Sequence, residues 1–310
     1  MYVNGELMKN AITAGDTLTG TGKGGRLNPE QADKFITYMV DNTEFLKDIK
    51  VERMNAPEKQ LDFFQIASRI IRKATEGVSP SELAGITTSR KELRSVKVRL
   101  SADITAEFAE DNIEGESVKD RIAHELAQQF SNDIADLMLT GDTAATGTDV
   151  EFLTIGDGII KQAKASSDTH KFDLKNKTDY KNTVFPGMLK LMPNKFKNNK
   201  RDLRFYCASS VAEAYTLSIS DRLTILGDDT LKTGKLMDFL GIKVFPVEYM
   251  PENVIILTNK NNLVMGIQRQ MKVYSQFNQR KDQTEYTMYM RVDPGKIVWD
   301  DALVIGYAMS

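Results

Sequence analysis

Apolar positions change their spacing three times along the first half of the chain, and each change marks an element. Over residues 28–48, Ala32, Phe35, Ile36, Met39 and Val40 recur at i, i+3, i+4, i+7 and i+8. That is the stripe of a helix with one buried face. Asn28 suits its N-cap, Pro29 its first position and Gln31 a capping box. "DNTEFLKDI" either continues this helix or opens a second one. From residue 50 the period drops to two. Val96, Val98 and Leu100 alternate with Lys97 and Arg99, and "KVERMNAPEKQLDFFQIASRIIRKA" is strand-like as well. Gly77, Pro80 and Gly85 between them are turn formers. Residues 50–105 are therefore expected to form two long strands with a loose tip. Such a ribbon, charged and poor in apolar surface, is marginal in water and needs something to lie on.

An acidic run, "AEFAEDNIEGE", then leads into the clearest element of the chain. Val118, Ile122, Leu126, Phe130 and Ile134 repeat every four residues, joined by Leu137 and Met138. The pattern predicts a helix from Ser117 to Thr140, about 36 Å long at 1.5 Å per residue. Ser117 with Asp120 would cap its start, and Gly141 would stop it as a C′ glycine. Beyond it the chain mixes α and β. "GDTAATGTD" reads as a loop, "FLTIGDGIIKQAKAS" as a turn into a helix, and "SDTHKFDLKNKTD" as polar loop. "LRFYCAS", "IKVFPVEYM" and "NVIILTN" read as strands, "SVAEAYTLSISDR" as a helix, and part of "YKNTVFPGMLKLMPNKF" as helical. "LVMGIQRQMKVYSQF", "TEYTMYMRV" and "KIVWDDALVIGYAM" make the end β-rich. The fold class is α+β with strands clustered late.

Composition narrows the function classes. Of 310 residues, 41% are hydrophobic and 27% charged, as in an ordinary globular protein. No apolar run approaches the ~20 residues of a membrane helix. A single cysteine, Cys207, excludes an intrachain disulfide. A net charge of −2 lacks the basic excess of a protein built to grip nucleic acid.

Candidate chemistry is sparse. Gly20, Gly22 and Gly25 match G-x-G-x-x-G, but no buried strand precedes them, and Arg26 to Asn28 separate them from the helix that should face a phosphate. Nor do Ser or Thr follow Gly22-Lys23, as a P-loop requires. The stretch reads as slack in a flexible arm, residues 1–27. Neither "HELAQ" at His124 nor "CASS" at Cys207 completes a zinc or serine-nucleophile motif. His170 reads as a residue of a polar loop, and Cys207 as a small hydrophobe in a buried strand. "GDD" at 227–229 has no second acidic cluster to complete a metal site. No catalytic, cofactor or metal residue is nominated, so an enzyme binding a nucleotide at the arm is the weakest of three readings.

What does stand out is charge. "KLMPNKFKNNKRDLR" sets Lys190, Lys195, Lys197, Lys200, Arg201 and Arg204 against Asp202 alone. Glu107, Glu110, Asp111, Glu114 and Glu116 make an acidic counterpart. An arm, a ribbon that cannot stand alone and complementary charged segments suit an assembly of copies. The candidate contacts between subunits are Arg69, Arg72, Lys73, Glu76 and Arg90 on the ribbon, the five acids, and Lys195, Lys197, Lys200 and Arg201.

The ordered set "LNPEQADKFITYMVDNTEFLKDIKVERM", "AEDNIEGE", "LMLTGDT", "LGIKVFPVEYMPENVIILTNKNNLVMGIQRQMKV" and "RVDPGKIVWDDALVIGYA" resembles the major capsid proteins of tailed double-stranded DNA bacteriophages. These share the Hong Kong 97-type fold with encapsulins. The resemblance implies an N-terminal arm (1–27), an N-terminal helix (28–49) and an extended hairpin or E-loop (50–105). It further implies a peripheral domain with a spine helix (106–154), an axial domain (155–260) and C-terminal strands completing the peripheral domain (261–310). The implied function is a shell of pentamers and hexamers around packaged double-stranded DNA, without sequence-specific contact, in the virion. Assembly would take place in the bacterial host cytoplasm, with a portal and no membrane or cofactor. The type member carries a long scaffolding segment before its arm; here about 27 residues precede the first helix, so the expected scaffold is a separate protein. An encapsulin-type compartment around protein cargo is the alternative.

Overall fold

A computed structural model describes residues 24–26, 36–37, 39–41, 43–66, 86–105, 117–220, 238–268 and 272–309. The first part builds β1 (Gly24–Arg26), helix α1 (Glu44–Asp48) and strands β2 (Lys50–Met54), β3 (Glu58–Ile66), β4 (Ile86–Arg94) and β5 (Val96–Thr105). Ile36, Thr37 and Met39 to Asp41 are helical, and Thr43 is extended. α1 is therefore a helix of its own rather than a continuation. The long helix α2 spans Ser117–Thr140, with the bounds its four-residue repeat predicts. Then come α3 (Val150–Leu153), α4 (Ile159–Ala165), β6 (His170–Asp173), α5 (Phe185–Leu191), α6 (Asn194–Lys197), β7 (Leu203–Cys207) and α7 (Ser209–Ser220). Six strands close the chain: β8 (Lys243–Pro246), β9 (Val254–Asn259), β10 (Leu263–Gln268), β11 (Lys272–Asn278), β12 (Gln283–Ile297) and β13 (Leu303–Tyr307).

The strands form two sheets and a ribbon. In the first sheet the fifteen residues of β12 are the axis. β5 pairs along one edge, from Gln283↔Thr105 to Val292↔Val96. β11 and then β10 pair along the other. β2 lies parallel to β10, and β1 lies antiparallel to β11. Met288, Met290 and Val292 point into the core, where Ala127, Phe130, Ile134 and Met138 of α2 meet them. One face of the sheet is thus covered by the long helix.

Pro294 and Gly295 look like the end of a strand, yet β12 runs through them. The ladder slips there between Val264 and Gly266 of β10, and Gly295 takes φ 112°. A bulge is where a strand tolerates a proline without an N–H and a glycine at positive φ.

The second sheet has the order β6-β13-β9-β7-β8. β9 and β10 are nearly continuous apolar runs, and β9 is buried almost throughout, which suits a central strand covered on both faces. Phe185 of α5 sits among Phe205 (ring centroids 4.5 Å), Tyr215 (5.0 Å) and Phe239 (5.5 Å). Cys207 is fully buried here and its thiol is pushed up to about 12 by burial, which fits a packing role.

Four sequence expectations change. The ribbon does not run from 50 to 105: only β3 and β4 pair with each other, while β2 and β5 belong to the first sheet. Pro57 divides them, its carbonyl taking both the N–H and the hydroxyl of Ser95 (2.9 and 2.8 Å). The arm does not extend to residue 27, because Gly24 and Gly25 lie in a strand against Tyr274 and Val273. Their ladder also denies these two glycines the loop shape of a phosphate cradle. His170 is in strand β6, not a loop, with Nε2 buried. Finally, β13 joins β6 and β9 in the second sheet instead of completing the first.

Gly141 does end α2, but by close approach rather than left-handed geometry. A Cβ there would stand 2.4 Å from the Gly156 carbonyl, and Gly158 N–H donates to Gly141 O at 2.8 Å. At this crossing Lys161 bridges Asp142 (2.7 Å) and Asp157 (2.5 Å), while Asp157 accepts from the N–H and hydroxyl of Thr143 (2.9 and 2.7 Å). Partial burial pushes the Asp157 carboxyl up, but the Lys161 and Thr143 hydrogen bonds outweigh it and hold it at about 2. Its folded value lies below its unfolded one. The stability it contributes is therefore complete above the ordinary carboxylate range and lost as pH falls through about 2. Thermal melts of wild type and Asp157→Asn should differ most above pH ~4 and converge toward pH ~2. A gap that stays constant across that window contradicts the clamp.

Candidate assembly surfaces

The ribbon is built as an amphipathic object. Lys59, Leu61, Phe63, Lys91 and Leu93 turn to one face and are buried or half-buried. Glu58, Gln60, Asp62, Phe64, Thr88, Arg90, Glu92 and Arg94 turn to the other and are exposed. Opposite charges meet across the exposed face: Glu58 stands opposite Arg94, and Asp62 opposite Arg90 at 2.8 Å. Both partners of the second pair are at least half exposed, so screening leaves it worth little. Phe64 is 73% exposed, the most of any large apolar side chain among the described residues.

Its root is fastened to the first sheet. Met54, Leu93, Val264 and Val298 form a small buried cluster, against which Leu61, Phe63 and Trp299 pack. Lys91 pairs with Asp300 at 3.2 Å, and Lys59 pairs with Glu52. Asp293 is buried, accepting from Gly295 N–H at 2.8 Å and Arg94 N–H at 2.5 Å. One carboxylate thus holds both the β12 bulge and the point where β4 of the ribbon joins the first sheet. Burial pushes its pKa up, and the two amides with Lys296 offset this only in part.

Of the sequence-nominated contacts, Arg90, Lys195, Lys197, Lys200 and Arg201 lie among the described residues. Arg69, Arg72, Lys73, Glu76, Glu107, Glu110, Asp111, Glu114 and Glu116 lie outside the described residues. Arg90 is on the exposed ribbon face. Lys195 and Lys197 are on α6, Lys200 and Arg201 in the turn that follows. The basic segment is partly neutralised at home. Arg204 pairs with Asp48 at 3.0 Å, with both side chains largely buried, and Tyr206 donates to the same carboxylate at 2.9 Å. Lys195 pairs with Asp301 at 2.6 Å. Lys200 and Arg201 stay exposed and Lys197 half-buried. Periodicity gives no hint that Asp48 partners Arg204 or that Asp293 partners Arg94, since each pair lies far apart along the chain.

Comparison with known proteins agrees with this architecture. No protein-family model matches the chain. A putative prophage capsid protein of Bacillus subtilis is 27% identical over 271 residues, spanning 83% of this chain and 84% of the relative. A chain of the satellite phage P4 procapsid, solved with its size determination protein, superposes with a TM-score of 0.72, at 11% identity, over 100% of this chain and 98% of its own. The chain has the Hong Kong 97-type capsid fold. A virus-like particle from Pyrococcus furiosus shares it, with a TM-score of 0.52 and 11% identity over 89% of this chain and 97% of that one. Among the described residues no helix is long and apolar enough to cross a membrane, and no group of His, Cys, Asp or Glu is placed to hold a metal.

Among the described residues the ribbon carries the most exposed large apolar side chain, while its root is bound by polar contacts as well as by the small apolar cluster. Asp293→Ala should leave the buried Gly295 N–H and the part-buried Arg94 N–H without an acceptor, at a cost of about 1–3 kcal/mol. Limited proteolysis should then cut near residues 94–96 several-fold faster than in wild type. Equal cleavage rates would show that Asp293 does not hold the root.

Proposed function

We propose that this chain is a phage-type major capsid protein that assembles through pentamers and hexamers into an icosahedral shell around double-stranded DNA. The observation that carries the reading is a capsid fold matched from end to end, together with a ribbon whose two strands form a ladder only with each other among the described residues. The first sheet with α2 is the peripheral domain, the second sheet the axial domain, and residues 58–94 the E-loop. Residues 50–54 and 96–105 belong to the peripheral domain in this assignment. The chain is a structural protein and not an enzyme. A separate scaffolding protein and a portal are its expected partners in the host cytoplasm, and the virion its destination. A net charge of −2 suits a wall along which DNA slides without sticking.

The likeness to the Pyrococcus furiosus particle supports a second reading, a compartment around protein cargo. Purified particles decide between them. Shells that carry DNA or a portal fit the first, and shells that carry one enzyme and never DNA fit the second.

Removing residues 68–90 tests the role of the ribbon. The core should keep its cooperative thermal transition while the yield of shells by electron microscopy falls at least about tenfold, since the ribbon stabilises neighbours rather than its own chain. Normal, equally stable particles from the shortened protein would refute this. Wild-type protein that stays monomeric with and without its scaffold would refute the capsid reading itself.

A further inference from the structure

The two sheets are joined by a double crossing. β9 of the second sheet passes into β10 of the first through a single turn, Lys260–Asn262. β12 of the first passes into β13 of the second through Val298, Trp299 and a turn at Asp300–Ala302. The strands are partners on both sides of the crossing: Leu263 stands opposite Ile297, and Thr258 opposite Leu303. The two connections therefore lie side by side, and hydrogen bonds sew them together. The Asn262 carbonyl accepts from Val298 N–H (2.9 Å), and its Oδ1 accepts from Trp299 N–H (2.8 Å). Its Nδ2 donates to the Trp299 carbonyl and to Thr258 Oγ1, both at 3.0 Å, and Thr258 Oγ1 donates to the Ala302 carbonyl at 3.0 Å. Asn262 and Thr258 are both buried. A satisfied buried network of this kind is rigid.

The stiff piece changes neighbours from one residue to the next. Val298 is part of the apolar cluster at the ribbon root, and Trp299 packs against it. Asp300 pairs with Lys91 of the ribbon at 3.2 Å. Asp301, the next residue, pairs with Lys195 of α6 at 2.6 Å. The other connection reaches the turn that follows α6. Lys260 N–H donates to the Asp202 carbonyl at 3.0 Å, and the Lys260 ammonium lies 3.8 Å from the Asp202 carboxylate. One side of the crossing thus holds the ribbon, and the other holds α6 with the turn after it.

We infer that this crossing couples the ribbon to residues 194–202, so that a shift of either is carried to the other. Closely packed pieces move as units rather than deform continuously. Asp300 and Asp301 are adjacent on one short turn, which Asn262 anchors before them and Thr258 after them. A displacement of α6 that draws Asp301 with it therefore turns Asp300 and Trp299 as well, and these two hold the ribbon root. The consequence for a shell rests on the capsid reading above. The outer face of the ribbon and the exposed Lys200 and Arg201 are both surfaces a neighbouring copy can reach. A contact made at one then biases the direction of the other.

Hydrogen–deuterium exchange on the unassembled full-length chain tests this in both directions, because coupling is reciprocal. Lys195 pairs with Asp301 and not with the ribbon. In Lys195→Ala, amides of residues 58–61 and 91–95 should nonetheless exchange about two- to fivefold faster, the range open to an exposed ion pair. Lys91→Ala should do the same to residues 194–203. Amides of α2 and the melting temperature should stay as in wild type in both variants. The sign separates coupling from charge acting through space, since loss of the Lys195 charge alone would draw Lys91 closer to the aspartates and slow the ribbon. Adding Asn262→Ala should abolish each cross-effect and leave the local effects in place. Exchange that changes only on the substituted side in both variants overturns the inference, as does a cross-effect that survives Asn262→Ala. If Asn262→Ala does not fold, the two lysine variants decide alone. The capsid reading is decided by whether shells form, so its failure leaves this result standing.

Discussion

β12 meets almost everything in the first half of the fold. Its two edges are occupied along most of its length, by β5 on one side and by β11 and β10 on the other. Its inward side chains meet α2. Its bulge at Pro294 and Gly295 presses on Met138 of that helix, a Cβ at Gly295 standing 3.0 Å from Met138 Cε. Asp293, just before the bulge, holds the joint of the ribbon through Arg94. A slip of one residue in this strand would turn Met288 and Met290 to solvent and Tyr289 into the core. Register along β12 therefore fixes helix, ribbon and outer face together.

From that constraint follows a division of labour. The two sheets bury most of their described apolar residues within the chain. The ribbon does not: its buried side ends at a cluster of four residues near the root, and its other face is a ladder of exposed ion pairs with Phe64 beside them. Exposed pairs of this kind contribute little to stability, so their worth lies in partner choice and register. A rigid body with an unfinished extension suits a subunit that must meet neighbours at more than one angle.

Much of this was legible in the sequence, for local reasons. The helix from Ser117 to Thr140 has the bounds its four-residue repeat marks, because one stripe faces one sheet. β9 is a nearly continuous apolar run because both its faces are covered. What stayed hidden depends on partners far along the chain. Alternation from Val96 to Leu100 shows a strand but not its neighbour, which is why β2 and β5 were expected in the ribbon and not against β10 and β12. "VDPG" has the composition of a turn, and only the Asp293 carboxylate, by taking up the freed amides, makes it a bulge inside a strand. The basic run at 190–204 suggested one charged surface, yet Arg204 turns inward to Asp48, a residue 156 positions away. Lys97, Arg99 and Arg291, on β5 and β12, belong to strands whose charges look unremarkable until their register is known.

The central claim is that the ribbon completes its packing on another copy. Hydrogen–deuterium exchange compared between unassembled chain and purified shells addresses it directly. Amides of residues 58–66 and 86–94 on the outer edges of the ribbon should slow at least about tenfold on assembly, while those of β9 and β13, already buried in the subunit, should change little. Ribbon amides that exchange equally fast in both states would contradict the account.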